Sequence, residues 1–328
     1  MILDKKPSRF AYRCIRAAGD AIAARRKQAG NRLCILSYHR ILEENDPILL
    51  SEPDIQSFQW QMELLAECFN VMPLYDATMA LAKNELPPRA VCITFDDGYR
   101  SIHDFALPIL KTYRLPSTVF VTSGCLGVCN MWNDRIIEAV RSLPGGQVDL
   151  RLLGMGKISL AGDQAKKRLA HQLIESSKYL YPQARLELAE QVEKIAGGAR
   201  RRDLMLTPEM VSRLSDQNVE IGGHTISHPI LTRVDDVVAS REIHENKRHL
   251  EQIAGKPVRL FAYPNGKPHI DFGARHVEMV KDAGYLAAFT TLAGAAERTH
   301  DMYQLPRSRP WDTNPLMYGA RLLRWLQG

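Results

Sequence analysis

The sequence predicts an α/β fold built on a parallel sheet. Short apolar runs recur, helical stretches separate them, and the runs end in polar turns. Leu33–Tyr38 (LCILSY) reads as a buried strand and is followed by His39 and Arg40. Ser57–Cys68 has helical periodicity through Phe58, Met62 and Leu65, and Ala77–Lys83 reads as a second, short helix. Ala90–Phe95 (AVCITF) is a strand ending in Asp96-Asp97-Gly98, His103–Tyr113 is helical, and Ser117–Val121 is the next strand. Two strand–helix–strand units in this order imply crossover helices and parallel strands. Residues 135–205 break the rhythm. They hold helical stretches at 166–180 and 183–196, a Gly197-Gly198 spot and the run Arg200-Arg201-Arg202, which reads as a solvated loop. We take them as a mainly helical insertion. Strands resume at Val219–Ile221, Val258–Ala262 and Leu286–Thr290, and Leu316–Leu326 reads as a terminal helix capping the core.

Composition bounds the function. The chain has 328 residues, 45% hydrophobic and 24% charged, which suits a globular protein with a full core and excludes disorder or a disulfide-dense scaffold. Net charge is +6, but residues 1–32 carry nine bases against Asp4 and Asp20. The body, residues 33–328, is therefore close to neutral, which argues against nucleic acid as a partner. Residues 8–29 read as a basic helix, with Phe10, Cys14, Ala17, Ala21 and Ile22 on one face. Such a helix packs on the domain or lies on an anionic membrane surface. Cys34, Cys68 and Cys92 sit in apolar runs, and Cys125 and Cys129 lack zinc-ribbon spacing, so no structural disulfide is expected. No secretory signal or long apolar run is visible. The expectation is a cytoplasmic protein, with peripheral contact at the inner membrane face through the basic N-terminal helix.

Three segments carry chemistry, each at the end of a predicted strand. Thr94-Phe95-Asp96-Asp97-Gly98-Tyr99 puts two carboxylates side by side. They repel unless one binds a cation, and the alternative is a plain turn with an Asx cap. Gly222-Gly223-His224-Thr225-Ile226-Ser227-His228 offers two imidazoles four residues apart after a tight turn, which suits one metal ion. Tyr263-Pro264-Asn265-Gly266 ends a strand in a turn whose amides can face a site, or is an ordinary turn led by proline.

In this order, TFDDG, HTISH and YPNG resemble the polysaccharide deacetylase family, also called carbohydrate esterase family 4 or the NodB-homology domain. The resemblance covers roughly residues 33–130 and 205–310. It implies a distorted (β/α) barrel, here with the helical insertion. It also implies metal-dependent hydrolysis of an N-acetyl group on a sugar of a polysaccharide or glycan precursor, with release of acetate. Carried over by motif, Asp96 is the catalytic base, and Asp97, His224 and His228 bind a divalent metal, foremost Zn2+, with Co2+ or another divalent ion also fitting. A water activated by that metal loses its proton to Asp96. The oxyanion is held by the metal and the Tyr263–Asn265 turn, through the Asn265 N–H.

The chain departs from the family pattern at two places. Ala262 stands where many members have an arginine, and Leu305-Pro306-Arg307 stands where many have Leu-x-His. Arg307 can supply the missing guanidinium to Asp96 from another strand. His39 can supply the missing acid, with His269 as runner-up. Asp271 reads as the N-cap of a helix from Phe272. Other readings are an O-deacetylase or deformylase acting on a lipid-linked sugar, and a glycan-binding module with a degenerate site.

Overall fold

Hydrophobic alternation and crossover spacing resolve into one curled sheet wrapped in helices. The computed structural model describes residues 9–26, 29–49, 51–198, 203–309 and 312–328, and Arg200–Arg202 lie outside them. In chain order the elements are α1 (Arg9–Arg25), β1 (Leu33–Tyr38), α2 (Ile55–Cys68), β2 (Asn70–Val71), α3 (Leu74–Lys83), β3 (Ala90–Phe95), α4 (Leu107–Tyr113) and β4 (Thr118–Val121). The insertion follows, with α5 (Trp132–Ser142), β5 (Gly146–Asp149), β6 (Lys157–Leu160), α6 (Gly162–Ser177) and α7 (Pro182–Ile195). Then come α8 (Pro208–Asp216), β7 (Glu220–Gly223), α9 (Asp236–Ala254), β8 (Leu260–Ala262), α10 (Ala274–Asp282), β9 (Ala287–Phe289) and α11 (Pro315–Gln327).

The main sheet runs β1-β3-β4-β7-β8-β9, all parallel, with short β2 beside β3. Residues 305–308 bridge its two edges. Leu305 N–H donates to Ala288 at 3.0 Å, and Ser308 N–H donates to Ile35 at 2.8 Å. The result is the distorted (β/α) barrel expected from the sequence. Strand alternation sorts its side chains. Ile35, Cys92, Phe120, Leu260, Ala262 and Phe289 pack together on the concave side. Phe120 and Phe289 stand on non-adjacent strands, yet their rings are 5.6 Å apart, which only a curled sheet permits. Leu36, Ile93, Phe95, Val119, Val121 and Phe261 pack outward under the helices.

Two local expectations are refined and one is corrected. First, α1 packs on α2 and α11 through Tyr12, Ile15 and Gly19, while Phe10, Cys14, Ala17 and Ala21 face solvent. A Cβ on Gly319 would lie 2.7 Å from Ile15, so close helix contact rather than apolar count chose the buried face. Second, the mainly helical insertion also holds a hairpin. β5 and β6 form an antiparallel hairpin, and its Val148 and Leu160 join Ile136, Val140, Leu169 and Val192 in a separate small core. Third, Asp271 does not cap α10, whose N-cap is Gly273. Its carboxylate turns back to accept from Lys267 N–H at 2.9 Å.

Candidate active site

The strand register sets the site. Tyr38 pairs with Phe95, so the next residues, His39 and Asp96, lie level on one rim. Val121 pairs with Gly223, bringing His224 to the same rim. A Cβ on Gly223 would lie 2.8 Å from Asn246 Oδ1, so glycine is needed for that approach. The two carboxylates diverge because Asp97 takes the left-handed region at φ 71° and Gly98 follows at φ 87°. Asp tolerates that region better than most side chains.

Asp96 continues the inward alternation and meets Arg307. The pair is bidentate, at 2.6 Å from Nη1 to Oδ1 and 2.8 Å from Nη2 to Oδ2. Ser37 Oγ donates to the same carboxylate at 3.3 Å, and Arg307 also donates to Thr94 Oγ1 at 3.2 Å. Burial alone would raise the Asp96 carboxyl. The Arg307 guanidinium, helped by His224 and His39, more than offsets it and holds the pKa below the usual carboxylate range.

Asp97 faces the two imidazoles. Its Oδ1 is 3.4 Å from His224 Nε2 and 3.5 Å from His228 Nε2. The three candidate ligand atoms lie within 4.8 Å of one another. Ligands about 2.1 Å from a tetrahedral zinc ion are about 3.4 Å apart, so the spacing fits such an ion. The unmet polar atoms fit too: Asp97 Oδ1 is buried without a hydrogen-bond partner. His224 Nδ1 lies 2.7 Å from the Ala262 carbonyl, which fixes the ring with Nε2 toward Asp97. Burial opposes a proton on His224, but the facing Asp97 carboxylate, and Asp96 beyond it, raise its pKa. Burial, with His224 and Arg185 adding to it against Asp97, pushes His228 down to about 3. His228 is therefore a neutral imidazole, the form that ligates metals.

Matching residues 83–149 and 162–288, more than half the chain, the model of the family described as polysaccharide deacetylase takes in Asp96, Asp97, His224, His228 and Asn265. The chain belongs to the polysaccharide deacetylase family. It is a hydrolase that acts on acylated carbohydrate. YxkH of Bacillus subtilis (strain 168), named for the same family, is 21% identical over 318 residues, covering 96% of this chain and 84% of that protein. A poly-beta-1,6-N-acetyl-D-glucosamine N-deacetylase of Staphylococcus epidermidis is 29% identical over 126 residues, 34% of this chain and 43% of that protein. Among solved structures, the Streptococcus pyogenes deacetylase PplD in complex with acetate shares the fold at TM-score 0.59 and 19% identity, over 90% of this chain and 98% of that one. IcaB from Ammonifex degensii does so at TM-score 0.57 and 18% identity, over 91% and 98%.

Two predicted positions of this deacetylase lie outside the matched residues, His39 and Arg307. The structure brings Arg307 onto Asp96, as above. His39 is half-buried, with its Nδ1 buried and unpartnered, and it lies near enough to Asp96, Asp97 and His228 to act on all three electrostatically. Next to it, Arg40 pairs with buried Asp134, which also accepts from Tyr99 Oη at 2.9 Å and so anchors the end of β1. Asn265 sits in the left-handed region at φ 57°. Tyr263 is corrected: its side chain is not at the site. It is 1% exposed and stacks on Phe272 at 3.7 Å, because alternation along β8 points it outward with Phe261. His269 is exposed and left-handed at φ 65° in the loop beyond Asn265.

Sequence reasoning missed the support for the histidine loop. Thr225 is held at φ 64°, a strained value for a β-branched residue. Two side chains one turn apart on α9 hold it there. Glu242 accepts from Ile226 N–H at 2.7 Å, Ser227 N–H at 2.8 Å and Ser227 Oγ at 2.6 Å. Asn246 accepts from His224 N–H at 3.0 Å and donates to the Thr225 carbonyl at 2.6 Å. The signal was present: Glu242 and Asn246 fall among Ala239, Ile243 and Leu250 on the buried face of α9. Glu242→Gln removes one acceptor and should weaken zinc binding about 10–100-fold. A metal titration checks this, and unchanged affinity would remove Glu242 from that role.

Proposed function

We propose that this deacetylase hydrolyses the acetamido group of an N-acetylated hexosamine in a glycan or glycan precursor, using one divalent cation. The observation that carries the reading is the Asp97–His224–His228 triangle beside an Asp96 carboxylate held ionised by Arg307. Two nitrogens and one carboxylate oxygen suit Zn2+, with Co2+ able to replace it. When bound, the cation would supply Lewis acidity for the acetamide carbonyl and the attacking water. Asp96 takes the water's proton as the carbon–oxygen bond forms. Arg307 keeps Asp96 a carboxylate before that transfer. The Asn265 N–H, with no acceptor among the described residues, is free to donate to the developing oxyanion. His39 then protonates the nitrogen as the carbon–nitrogen bond breaks, leaving acetate and a free amine. The similarity to a poly-N-acetylglucosamine deacetylase supports a polymeric substrate.

Acetate release from N-acetylglucosamine oligosaccharides tests the reading. It should stop with a chelator and return with Zn2+ or Co2+. Release that ignores the chelator would contradict it, and glycan binding without release would favour a degenerate binding module. His39→Gln should lower turnover by about 10²–10⁴-fold, with metal content unchanged. Near-normal turnover in that variant would place the acid elsewhere, with His269 next to be replaced.

A further inference from the structure

The turn after β4 is built into the rim and carries two thiols. Cys125 is half-buried and Cys129 exposed, and their sulfurs are 3.5 Å apart. Cys34, Cys68 and Cys92 are buried, and Cys14 lies on the exposed face of α1. The same turn is tied to the histidine loop. Ser123 N–H donates to the Thr225 carbonyl at 3.2 Å, and Gly124 N–H to the Ile226 carbonyl at 2.8 Å. There is no slack at that contact: a Cβ on Gly124 would lie 2.6 Å from the Ile226 carbonyl oxygen. Thr122 also joins Asp97 and His224, its N–H donating to the Asp97 carbonyl at 3.2 Å and its Oγ1 to the His224 carbonyl at 3.2 Å.

We propose that Cys125 and Cys129 form a reversible dithiol–disulfide site, oxidised by small-molecule disulfides of the glutathione type, whose closure loosens the histidine loop. Cys129 is the attacking group. Its thiol is pulled down to about 6 by its hydrogen bond with Cys125 and by Arg135, against burial, while Cys125 is pushed up. An exposed thiolate of that kind is the reactive species in exchange. Cys129 Sγ attacks one sulfur of the small disulfide, whose bond breaks and releases one thiol. Cys125 Sγ then attacks Cys129 Sγ in the mixed disulfide, and the second thiol leaves with the proton of Cys125. The first thiol takes back from solvent the proton that Cys129 had lost, so in sum the protein gives up two protons and two electrons and the small disulfide gains both. Bond formation draws the sulfurs together by about 1.5 Å, to a separation near 2.05 Å. In this proposal the turn takes up part of that contraction and passes it to the ladder from Ser123 and Gly124 to Thr225 and Ile226.

The test uses the full chain, stripped of metal and incubated with oxidised glutathione. The intact mass should fall by two hydrogens, and the tryptic peptide Leu115–Arg135, which holds both cysteines, should carry the link. Zinc affinity should then drop about tenfold or more, as on loss of an outer-shell partner, and return on reduction. Cys125→Ser/Cys129→Ser should bind zinc equally well before and after oxidant. An unchanged mass, or glutathione retained on Cys129, would overturn the disulfide. A closed disulfide with unaltered zinc affinity would overturn its coupling to the loop. The coupling rests on the metal reading above, whereas the mass change does not. If no form binds zinc, that reading fails and the mass result alone decides the disulfide.

Discussion

Arg307→Met is expected to cost about 3–5 kcal/mol of stability at neutral pH and to lower turnover at least about 100-fold. The reason is the partner it abandons. Asp96 is 3% exposed, and its charge is compensated chiefly by that one guanidinium. In the wild type the Asp96 pKa is depressed. Its contribution to stability is therefore full above the unfolded carboxyl value near 3.9 and fades as pH falls through the folded value. In the variant, burial acts unopposed by Arg307 and the carboxyl is raised instead. Protonation then relieves the buried charge, so the stability gap to wild type should shrink on acidification from pH 7 toward pH 4. The acid limb of the residual pH–rate profile should move up. Thermal unfolding at several pH values, with the rate profile, checks both. Arg307→Lys should recover part of the stability but not the two-pronged contact. A methionine variant with the wild-type profile and unfolding temperature would show that Asp96 does not depend on Arg307.

Asp97→Asn should remove metal binding, and turnover with it, while leaving the fold intact. Asparagine is chosen because it also tolerates the left-handed conformation at φ 71° and keeps the shape of the side chain. What it loses is the carboxylate that lies between His224 and His228. The fall in zinc affinity should exceed the roughly 10–100-fold that outer-shell losses cost. Circular dichroism separates loss of metal from loss of fold. Tight zinc binding retained by a folded Asp97→Asn protein would take Asp97 out of the ligand set.

Much of the frame was legible because it depends on local pattern. LCILSY and AVCITF are apolar but for Ser37 and Thr94 and buried at every position, as strands covered on both faces are, and their ends located two clusters of functional side chains. Tyr263 shows a pattern that was readable and misread: it follows β8 directly and lies two residues after Phe261, so both turn to the helix side. The buried face of α1 was harder. Its expected apolar stripe relied on small residues, and the real contact runs through Gly19, where the absence of a side chain lets Arg89 and Leu323 approach. Contacts such as Arg307–Asp96, 211 positions apart, are set by barrel closure and have no local signature. That pairing was suggested only by what was missing at Ala262. The hold of α9 on the histidine loop is likewise tertiary, although two polar residues on an otherwise apolar helix face marked where to look.

The most direct test is anomalous diffraction at the zinc absorption edge from crystals grown with Zn2+. One peak is expected about 2.0–2.2 Å from an Asp97 carboxylate oxygen, His224 Nε2 and His228 Nε2, with Asp96 outside the ligand set and still on Arg307. A peak bound elsewhere, or one ligated by Asp96 in place of Asp97, would contradict the assignment of base and ligands.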